Sequence, residues 1–225
     1  MADTSADTGC PLAADHREPA EAGFAAADRP PLATVLTPQP DVPRTSLSHP
    51  LRIDEVVVAH TAGRIGLCIC PGKRGHSLKG ARWQRDLAMD LAVVQRWRPN
   101  AVLTLLEAHE FDLLGVPQLG PQLQARGIEW HHLPIVDMQP PDARFEAGWH
   151  RTGPLVRRYL DQGGRVLVHC RGGLGRTGSV AARLLVELGT PAHEAIARVR
   201  QARPGAIETL EQARHVLDLP QPGRR

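Results

Sequence analysis

Apolar positions follow two periods along this chain, and together they predict strands that alternate with helices. Short apolar runs typical of buried strands occupy residues 56–59, 65–69, 101–106, 128–133 and 165–169. Apolar residues recur at helical spacing over residues 81–97, 117–126, 143–160, 177–188, about 191–203 and 207–217. This alternation predicts an α/β fold with a central, mostly parallel sheet flanked by helices.

The first 48 residues lack either period. They are rich in Ala, Pro, Asp and Thr and contain hardly any large apolar side chains. Because such a composition cannot offset the entropy lost on ordering, we predict a disordered tail over 1–48 and a single folded domain over 51–219. The Pro-rich stretch at 30–43 has the composition of an extended docking segment, but a solvated leader is the simpler interpretation.

Charge divides the chain in the same place. Residues 1–48 hold seven acids and three bases, a charge of −4, so at +3 overall the remainder carries +7. That excess favours anionic ligands, whereas scattered Arg residues and few aromatic side chains argue against nucleic acid. The chain has no apolar stretch approaching about 18 residues and no leader-like N-terminus, so neither membrane association nor a signal peptide is expected.

The cysteines are Cys10, Cys68, Cys70 and Cys170, a spacing that favours a reduced cytoplasmic protein over a disulfide-stapled or zinc-binding one. Cys68 and Cys70 point the same way from a predicted strand and are interpreted as core residues. The alternative is that one of them traps oxidised Cys170 as a disulfide.

The histidines His109, His131 and His132 raise the question of a metal. Adjacent residues of a strand face opposite sides, so His131 and His132 are not suited to bind one ion. We expect no metal and no cofactor.

The chemistry of the chain is concentrated after the strand at 165–169. Cys170 follows this strand directly, at the sheet edge where open α/β sheets bind ligands. Gly172, Gly173 and Gly175 let the backbone curl so that its amides point at one anion. The helix predicted from Thr177 adds the positive end of its dipole. This pattern predicts a phosphate site facing a sulfur atom.

Four side chains gain roles from this loop. Arg176, six positions after Cys170, offers a planar fork of donors to two phosphate oxygens. The positive surroundings favour the thiolate of Cys170, which is the nucleophilic form. His169 is expected to steady the loop, and Thr177 to donate its hydroxyl toward the sulfur.

Phosphoester cleavage also needs an acid for the leaving oxygen, normally on a loop beside the nucleophile. The Pro-rich loop after Leu133 offers Asp137 and Asp142. Asp142 stands just before a predicted helix, where an N-cap is the simpler interpretation. We therefore favour Asp137 as the general acid.

The stretch from His169 to Thr177 resembles the signature loop of the protein tyrosine phosphatase superfamily. Residues 65–72, 131–137 and 205–212 are similar to the kinase-associated phosphatase group of dual-specificity phosphatases. The resemblance, over about 51–217, implies a metal-free two-step reaction through a cysteinyl-phosphate, with Asp137 as acid and then base. It also assigns phosphate binding to the loop residues and water placement to Gln212. The loop residues are Arg171, Gly172, Gly173, Leu174 and Gly175.

Other residues bear on the choice of substrate. The single tyrosine, Tyr159, lies in a predicted helix, so the tyrosine that deepens strict phosphotyrosine pockets is absent and phosphoserine and phosphothreonine are also expected as substrates. Met138 stands where the group tends to have glycine. The alternatives are a phosphatase of small or lipid phosphates, such as inositol phosphates, and a non-catalytic phosphoprotein-binding module. The Ala- and Arg-rich composition suggests a bacterial source, and the sequence indicates no oligomeric state.

Overall fold

A computed structural model of the protein describes residues 42–76 and 80–220 of its 225 residues. Residues 1–41 of the tail predicted over 1–48 lie outside the described residues. The strands are β1 (Asp54–Val57), β2 (Arg64–Ile69), β3 (Arg74–His76), β4 (Arg82–Gln84), β5 (Ala101–Thr104), β6 (Glu129–His132) and β7 (Arg165–Cys170). The helices are α1 (Leu87–Trp97), α2 (Ala108–Leu113), α3 (Leu119–Gln124), α4 (Ala143–Asp161), α5 (Gly175–Glu187), α6 (Ala192–Ala202) and α7 (Leu210–Leu217).

The main sheet has the order β1-β2-β7-β5-β6, with β1 antiparallel at one edge and the other strands parallel. This arrangement confirms the predicted α/β fold. The central strand β7 lies between β2 and β5, with Ile69 beside Cys170 and Thr104 beside His169. The strand that carries Cys170 is therefore central in the sheet and hydrogen-bonded on both sides.

Successive residues of the strands pack on opposite faces. Val166 and Val168 join the core on the face of α4 to α7, whereas Leu167 joins the core on the face of α1 and α3. All three side chains are fully buried. A parallel strand that is apolar on both faces explains why the sequence shows a continuous apolar run here rather than alternation.

The second sheet is a hairpin of β3 and β4 that the sequence analysis missed. We predicted a helix from residue 81, but Trp83 lies in β4, and the helix begins only after Asp86. The Asp86 carboxylate caps α1 by accepting a hydrogen bond from the Met89 amide at 2.8 Å. The spacing of Trp83 and Leu87 therefore reflects a strand followed by a helix.

Two residues assigned to the predicted tail contact the domain. Arg44 pairs with Trp83 through an isolated bridge, and the buried Ser46 hydroxyl donates to Asp90 at 2.8 Å. The packed chain therefore begins before residue 48. Within the described part of the chain, no helix combines the length and the apolar character needed to cross a bilayer.

Candidate active site

Cys170 is the last residue of β7, at the carboxyl edge of the sheet. The residue is 3% exposed, and its sulfur accepts a hydrogen bond from the Gly173 amide at 3.2 Å. The next helix, α5, begins at Gly175, so its first turn faces the same loop. An amide donor and a helix N-terminus both stabilise negative charge on the sulfur.

Gly173 allows the loop to pass close to strand β2. Its φ is +69°, and a Cβ added there would lie 2.1 Å from the carbonyl oxygen of Cys68. A Cβ added to Gly172 would meet nothing within 4 Å. The two glycines thus have different functions, since only position 173 is closed to other residues by both backbone conformation and contact.

The loop is held from outside by side chains that follow it in the sequence. The Arg203 guanidinium donates to the carbonyl oxygens of Gly173 and Gly172, the second at 3.3 Å. The Gly175 amide donates to the Glu208 carboxylate at 2.8 Å. One of the amides that we expected to face substrate is therefore engaged by an acid of the protein.

Arg176 is 1% exposed and is held in a fixed direction. Its two terminal nitrogens bind the two oxygens of Glu110 at 2.5 and 2.9 Å, and one also donates to the carbonyl of Ile135 at 3.0 Å. Burial lowers the pKa of Arg176, but the hydrogen bonds that Arg176 donates to Glu110 and the charges of Cys170 and Glu110 outweigh it and raise the pKa above its ordinary value. The guanidinium is therefore permanently charged.

The two acids proposed from sequence occupy different environments. The Asp142 carboxylate is the N-cap of α4 and accepts a hydrogen bond from the Phe145 amide at 2.9 Å. Asp137 lines the same cavity as Cys170, and one of its oxygens lies 2.9 Å from Arg176. The neighbouring Met138 has a φ of +63°, a conformation that glycine adopts more readily. Position therefore favours Asp137 as the acid.

His169 lies in β7 and is held by a contact with the neighbouring strand β5. Its Nε2 lies 2.7 Å from the Thr104 hydroxyl, which also accepts a hydrogen bond from the Trp130 indole at 2.9 Å. Burial lowers the pKa of His169 to about 4, so the ring is neutral near pH 7. His169 therefore links the strand that carries Cys170 to β5.

Thr177 and Gln212 are both fully buried. The Thr177 hydroxyl has no hydrogen-bond partner among the residues described. The Gln212 side chain accepts from the amides of Glu208 and Thr209 at 2.9 and 3.2 Å, and donates to the carbonyl of Gln139 at 3.3 Å. Gln212 therefore joins the start of α7 to the loop that carries Asp137.

A cavity of about 350 Å³ opens over the cysteine loop. It is lined by Cys170, Arg171, Gly172, Leu174, Asp137 and Met138, together with further residues before and within the hairpin. This volume falls in the usual range of ligand pockets, roughly 300–1,000 Å³. Three of the predicted loop residues thus share one cavity with Cys170 and the favoured acid, whereas Gly173, Gly175 and Arg176, like Asp142 and Gln212, are not part of its lining.

The sequence analysis did not identify Glu110, Arg203 or Lys73. Glu110 has a local signal, because Glu107 and Glu110 form a capping box at the start of α2. Arg203 has none, since the carbonyls it binds lie about 30 residues away in the sequence. Lys73 follows a Pro-Gly turn, and nothing in that pattern shows that its side chain reaches the cavity.

The thiols of Cys68 and Cys70 are fully buried, and Cys68, Cys70 and Cys170 are free in this structure. Burial raises the pKa of Cys68 to about 12 and that of Cys70 well above its ordinary value. Neutral thiols attack an oxidised cysteine slowly. This favours the interpretation of both as core residues over the redox pair.

The histidines are engaged separately. His131 lies 2.9 Å from the Glu129 carboxylate, whereas His132 contacts the carbonyl of Leu106 at 2.7 Å. In the described ranges, no three His, Cys, Asp or Glu side chains cluster in a way that would hold a metal ion.

Comparison with known proteins identifies the family. A family model described as a Swiss Army Knife protein, DSP-PTPase phosphatase domain, matches residues 100–216. The chain belongs to this phosphatase family. Rat cyclin-dependent kinase inhibitor 3 is 31% identical over 158 residues, which cover 69% of this chain and 71% of the rat protein.

Solved structures agree with that assignment. A kinase associated phosphatase, with its catalytic site cysteine substituted by serine, matches with a TM-score of 0.64 at 28% identity, covering 74% of this phosphatase and 92% of that chain. The active form of Tk-PTP matches with a TM-score of 0.51 at 30% identity, covering 68% and 88%. This phosphatase is therefore a dual-specificity enzyme of the kinase-associated phosphatase group, with a cysteine-dependent protein phosphatase domain.

Proposed function

We propose that this protein hydrolyses phosphotyrosine, phosphoserine and phosphothreonine monoesters in proteins by two displacements at Cys170. The observation that carries the proposal is the shared cavity: the sulfur of Cys170 and the carboxylate of Asp137 both line it, and Asp137 contacts Arg176. A nucleophile and an acid in one cavity, with an anion clamp in contact with that acid, are parts that phosphoryl transfer needs.

In the first displacement, the Cys170 thiolate attacks phosphorus while Arg176 and loop amides hold the other oxygens. Protonated Asp137 gives its proton to the leaving oxygen as the phosphorus–oxygen bond breaks. The products are a cysteinyl-phosphate and a free hydroxyl on the substrate. Because the donors are fixed before reaction, they stabilise the developing charge without reorganisation.

In the second displacement, the Asp137 carboxylate takes a proton from water as the water oxygen attacks phosphorus. The sulfur–phosphorus bond breaks, inorganic phosphate forms and the thiolate returns. Thr177 is suited to donate its unpartnered hydroxyl toward the departing sulfur. Gln212, tied to the carbonyl of Gln139, is suited to orient the water.

The contact between Arg176 and Asp137 implies an order of events in the catalytic cycle. In the structure, Asp137 occupies a donor of Arg176 at 2.9 Å. An incoming phosphate takes that donor, and Asp137 then turns to the leaving oxygen. Glu110 stays bound throughout and keeps the guanidinium aimed at the cavity.

The test is hydrolysis of para-nitrophenyl phosphate in EDTA. Cys170→Ser should abolish turnover, and Asp137→Asn should lower kcat by about 100-fold or more, the usual contribution of a general acid. Asp142→Asn is the matched control: Asn caps a helix as well as Asp, so turnover should remain near native.

Two results would contradict the proposal. Equal losses of kcat in Asp137→Asn and Asp142→Asn would show that Asp137 is not the general acid. No turnover by the native protein, combined with retained binding of phosphopeptides, would favour a phosphoprotein-binding module.

The cytoplasm of a bacterium is the setting we propose, which the three free thiols of the described chain support.

A further inference from the structure

Cations surround an aromatic ring at one side of the cavity. The Arg44 guanidinium and the Lys73 ammonium lie 5.5 and 5.8 Å from the ring centroid of Trp83. All three residues line the cavity that holds Cys170, as does Arg171. We call Arg44, Lys73, Trp83 and Arg171 the cationic wall. The two displacements at Cys170 give no task to Arg44 or Lys73.

Lys73 is 3% exposed, and lysine is almost never that buried unless it is paired. Its ammonium donates to the carbonyl of Arg171 at 3.3 Å, and it forms no ion pair with a carboxylate in the described chain. Burial, with the charge of Arg171, lowers the pKa of Lys73. Since an ammonium has three donors, the described residues leave most of the hydrogen-bonding capacity of Lys73 unused.

The other cations of the wall are also open. Arg171 donates to the carbonyl of His76 at 3.2 Å, while its Nε is buried without a partner in the residues described. Arg44 is exposed and pairs with no carboxylate across the same residues. The cavity's acids are engaged elsewhere, because Asp137 binds Arg176 and Glu208 accepts from the loop. The wall therefore keeps a positive potential.

The cavity is larger than one phosphate group requires. Its volume of about 350 Å³ falls in the range of pockets that hold whole small-molecule ligands, roughly 300–1,000 Å³. Besides the cations, it is lined by the apolar side chains of Ile69, Met138 and Leu174. Apolar surface suits the stem of a peptide side chain better than a ring covered with hydroxyl and phosphate groups.

We propose that the cationic wall binds a second anionic group of the substrate, a phosphate or carboxylate carried by the residue beside the phosphoresidue that Cys170 attacks. This inference rests on the proposed function and names its substrate class: phosphopeptides with an acidic or second phosphorylated neighbour. Lys73 and Arg171 supply charge-assisted hydrogen bonds to that group, and Arg44 adds charge at the mouth.

The test compares kcat/KM for three phosphopeptides that differ only at the neighbouring residue: alanine, glutamate or a non-hydrolysable phosphonate. The native enzyme should prefer the phosphonate peptide over the alanine peptide by about tenfold, the effect of roughly one charged hydrogen bond. Lys73→Met and Arg44→Gln should each bring that ratio toward one. Arg74→Gln removes an exposed charge of the hairpin outside the cavity and should keep the native ratio.

The contrary outcomes are separable. A native ratio near one, with the alanine peptide still hydrolysed, overturns the cationic wall and leaves the proposed function intact. Failure to hydrolyse any peptide counts against the proposed function instead. A Lys73→Met enzyme that loses activity equally on all peptides shows a structural role for Lys73 and overturns its assignment. If the Lys73→Met variant does not fold, the Arg44→Gln variant, which changes an exposed residue, provides the test instead.

A final arm uses inositol bisphosphate as the substrate. We expect the phosphonate peptide to be the better substrate by kcat/KM. The reverse order would overturn the peptide assignment, because the second anion would then be recognised on a small polyanion.

Discussion

Individual residues in the site have well-defined charge states because of their partners. Arg176 is buried, yet Glu110 keeps it charged, and His169 is buried without a charge partner and is neutral. Burial thus has opposite outcomes in two residues that flank the same loop. The difference is whether a carboxylate is close enough to offset desolvation.

The neutral state of His169 predicts a pH-dependent stability. Burial lowers its pKa to about 4, against an ordinary value of 6.5, so between these pH values the unfolded chain binds a proton that the folded chain does not. Stability is therefore present above pH 6.5 and is lost as the pH falls toward 4. Between pH 7.5 and 5, this residue alone should remove about 2 kcal/mol from the free energy of unfolding.

Denaturant unfolding at both pH values measures that loss. His169→Gln should lose about 2 kcal/mol less than the native protein between them. His193→Gln, which changes an exposed histidine, should keep the native pH dependence. An undiminished loss in His169→Gln would mean that the imidazole is protonated in the folded state.

At this scale, the site was predicted from residues that are close together in the sequence. Cys170 ends β7, Arg176 and Thr177 lie in the first turn of α5, and their spacing with the glycines between them suggested an anion site. Glu110 and Lys73 were not identified because both act through tertiary contacts: Glu110 reaches Arg176 from α2, and Lys73 reaches the cavity from the chain before β3. Periodicity along the sequence carries no information about such contacts.

The neighbouring strands determine the shape of the loop that follows Cys170. Strand β2 lies beside β7, and its Cys68 carbonyl faces the position that a side chain at residue 173 would take. The strand pairing itself therefore imposes glycine. The same pairing brings Ile69 next to Cys170, so the neighbouring strand supplies a wall of the cavity as well.

Gly173→Ala tests this constraint. The added methyl must displace the loop from β2, and a displacement of about 1 Å at reacting groups costs on the order of 100-fold in rate. Gly172→Ala is the matched variant, because its methyl meets nothing within 4 Å, and its loss of kcat/KM should be at least about tenfold smaller. Similar losses in the two variants, both folded by circular dichroism, would contradict the explanation.

Long elements were easier to predict than short ones. The apolar strand β7 and the 19-residue helix α4 follow the sequence pattern closely. The hairpin strands are 3 residues each, too short for a period to be recognised, and α7 begins after Thr209 rather than at residue 207 because Thr209 caps it. Capping and hairpin pairing override periodicity at such ends.

In the whole molecule, Arg203 connects parts of the chain that are distant in sequence. It follows α6, donates to the carbonyls of Gly172 and Gly173, and binds the Asp54 carboxylate of β1 at 2.6 Å. Both charged side chains are largely buried, at 12% and 7% exposure. The catalytic loop is thus fastened to the edge of the sheet and to the C-terminal helices at once.

Arg203→Gln should weaken the fold and the loop together. We expect a loss of about 2 kcal/mol in the free energy of unfolding, since a partly buried carboxylate loses a partner. Hydrogen exchange should rise at the amides of residues 172–175. Arg214→Gln, an exposed change on α7, should leave both readouts near native. Faster exchange spread evenly over the domain, without a maximum at the loop, would refute this connection.

The hairpin of β3 and β4 forms a sheet of its own, hydrogen-bonded strand to strand apart from the main sheet that carries Cys170. Its Trp83 nevertheless borders the cavity. Because the two sheets share no strand, we expect substitutions in the hairpin to leave the register of the central strands unchanged. Over evolutionary time, such a fold is free to diversify the partners it recognises by altering one peripheral ribbon, while the reaction that it performs on them is inherited unchanged.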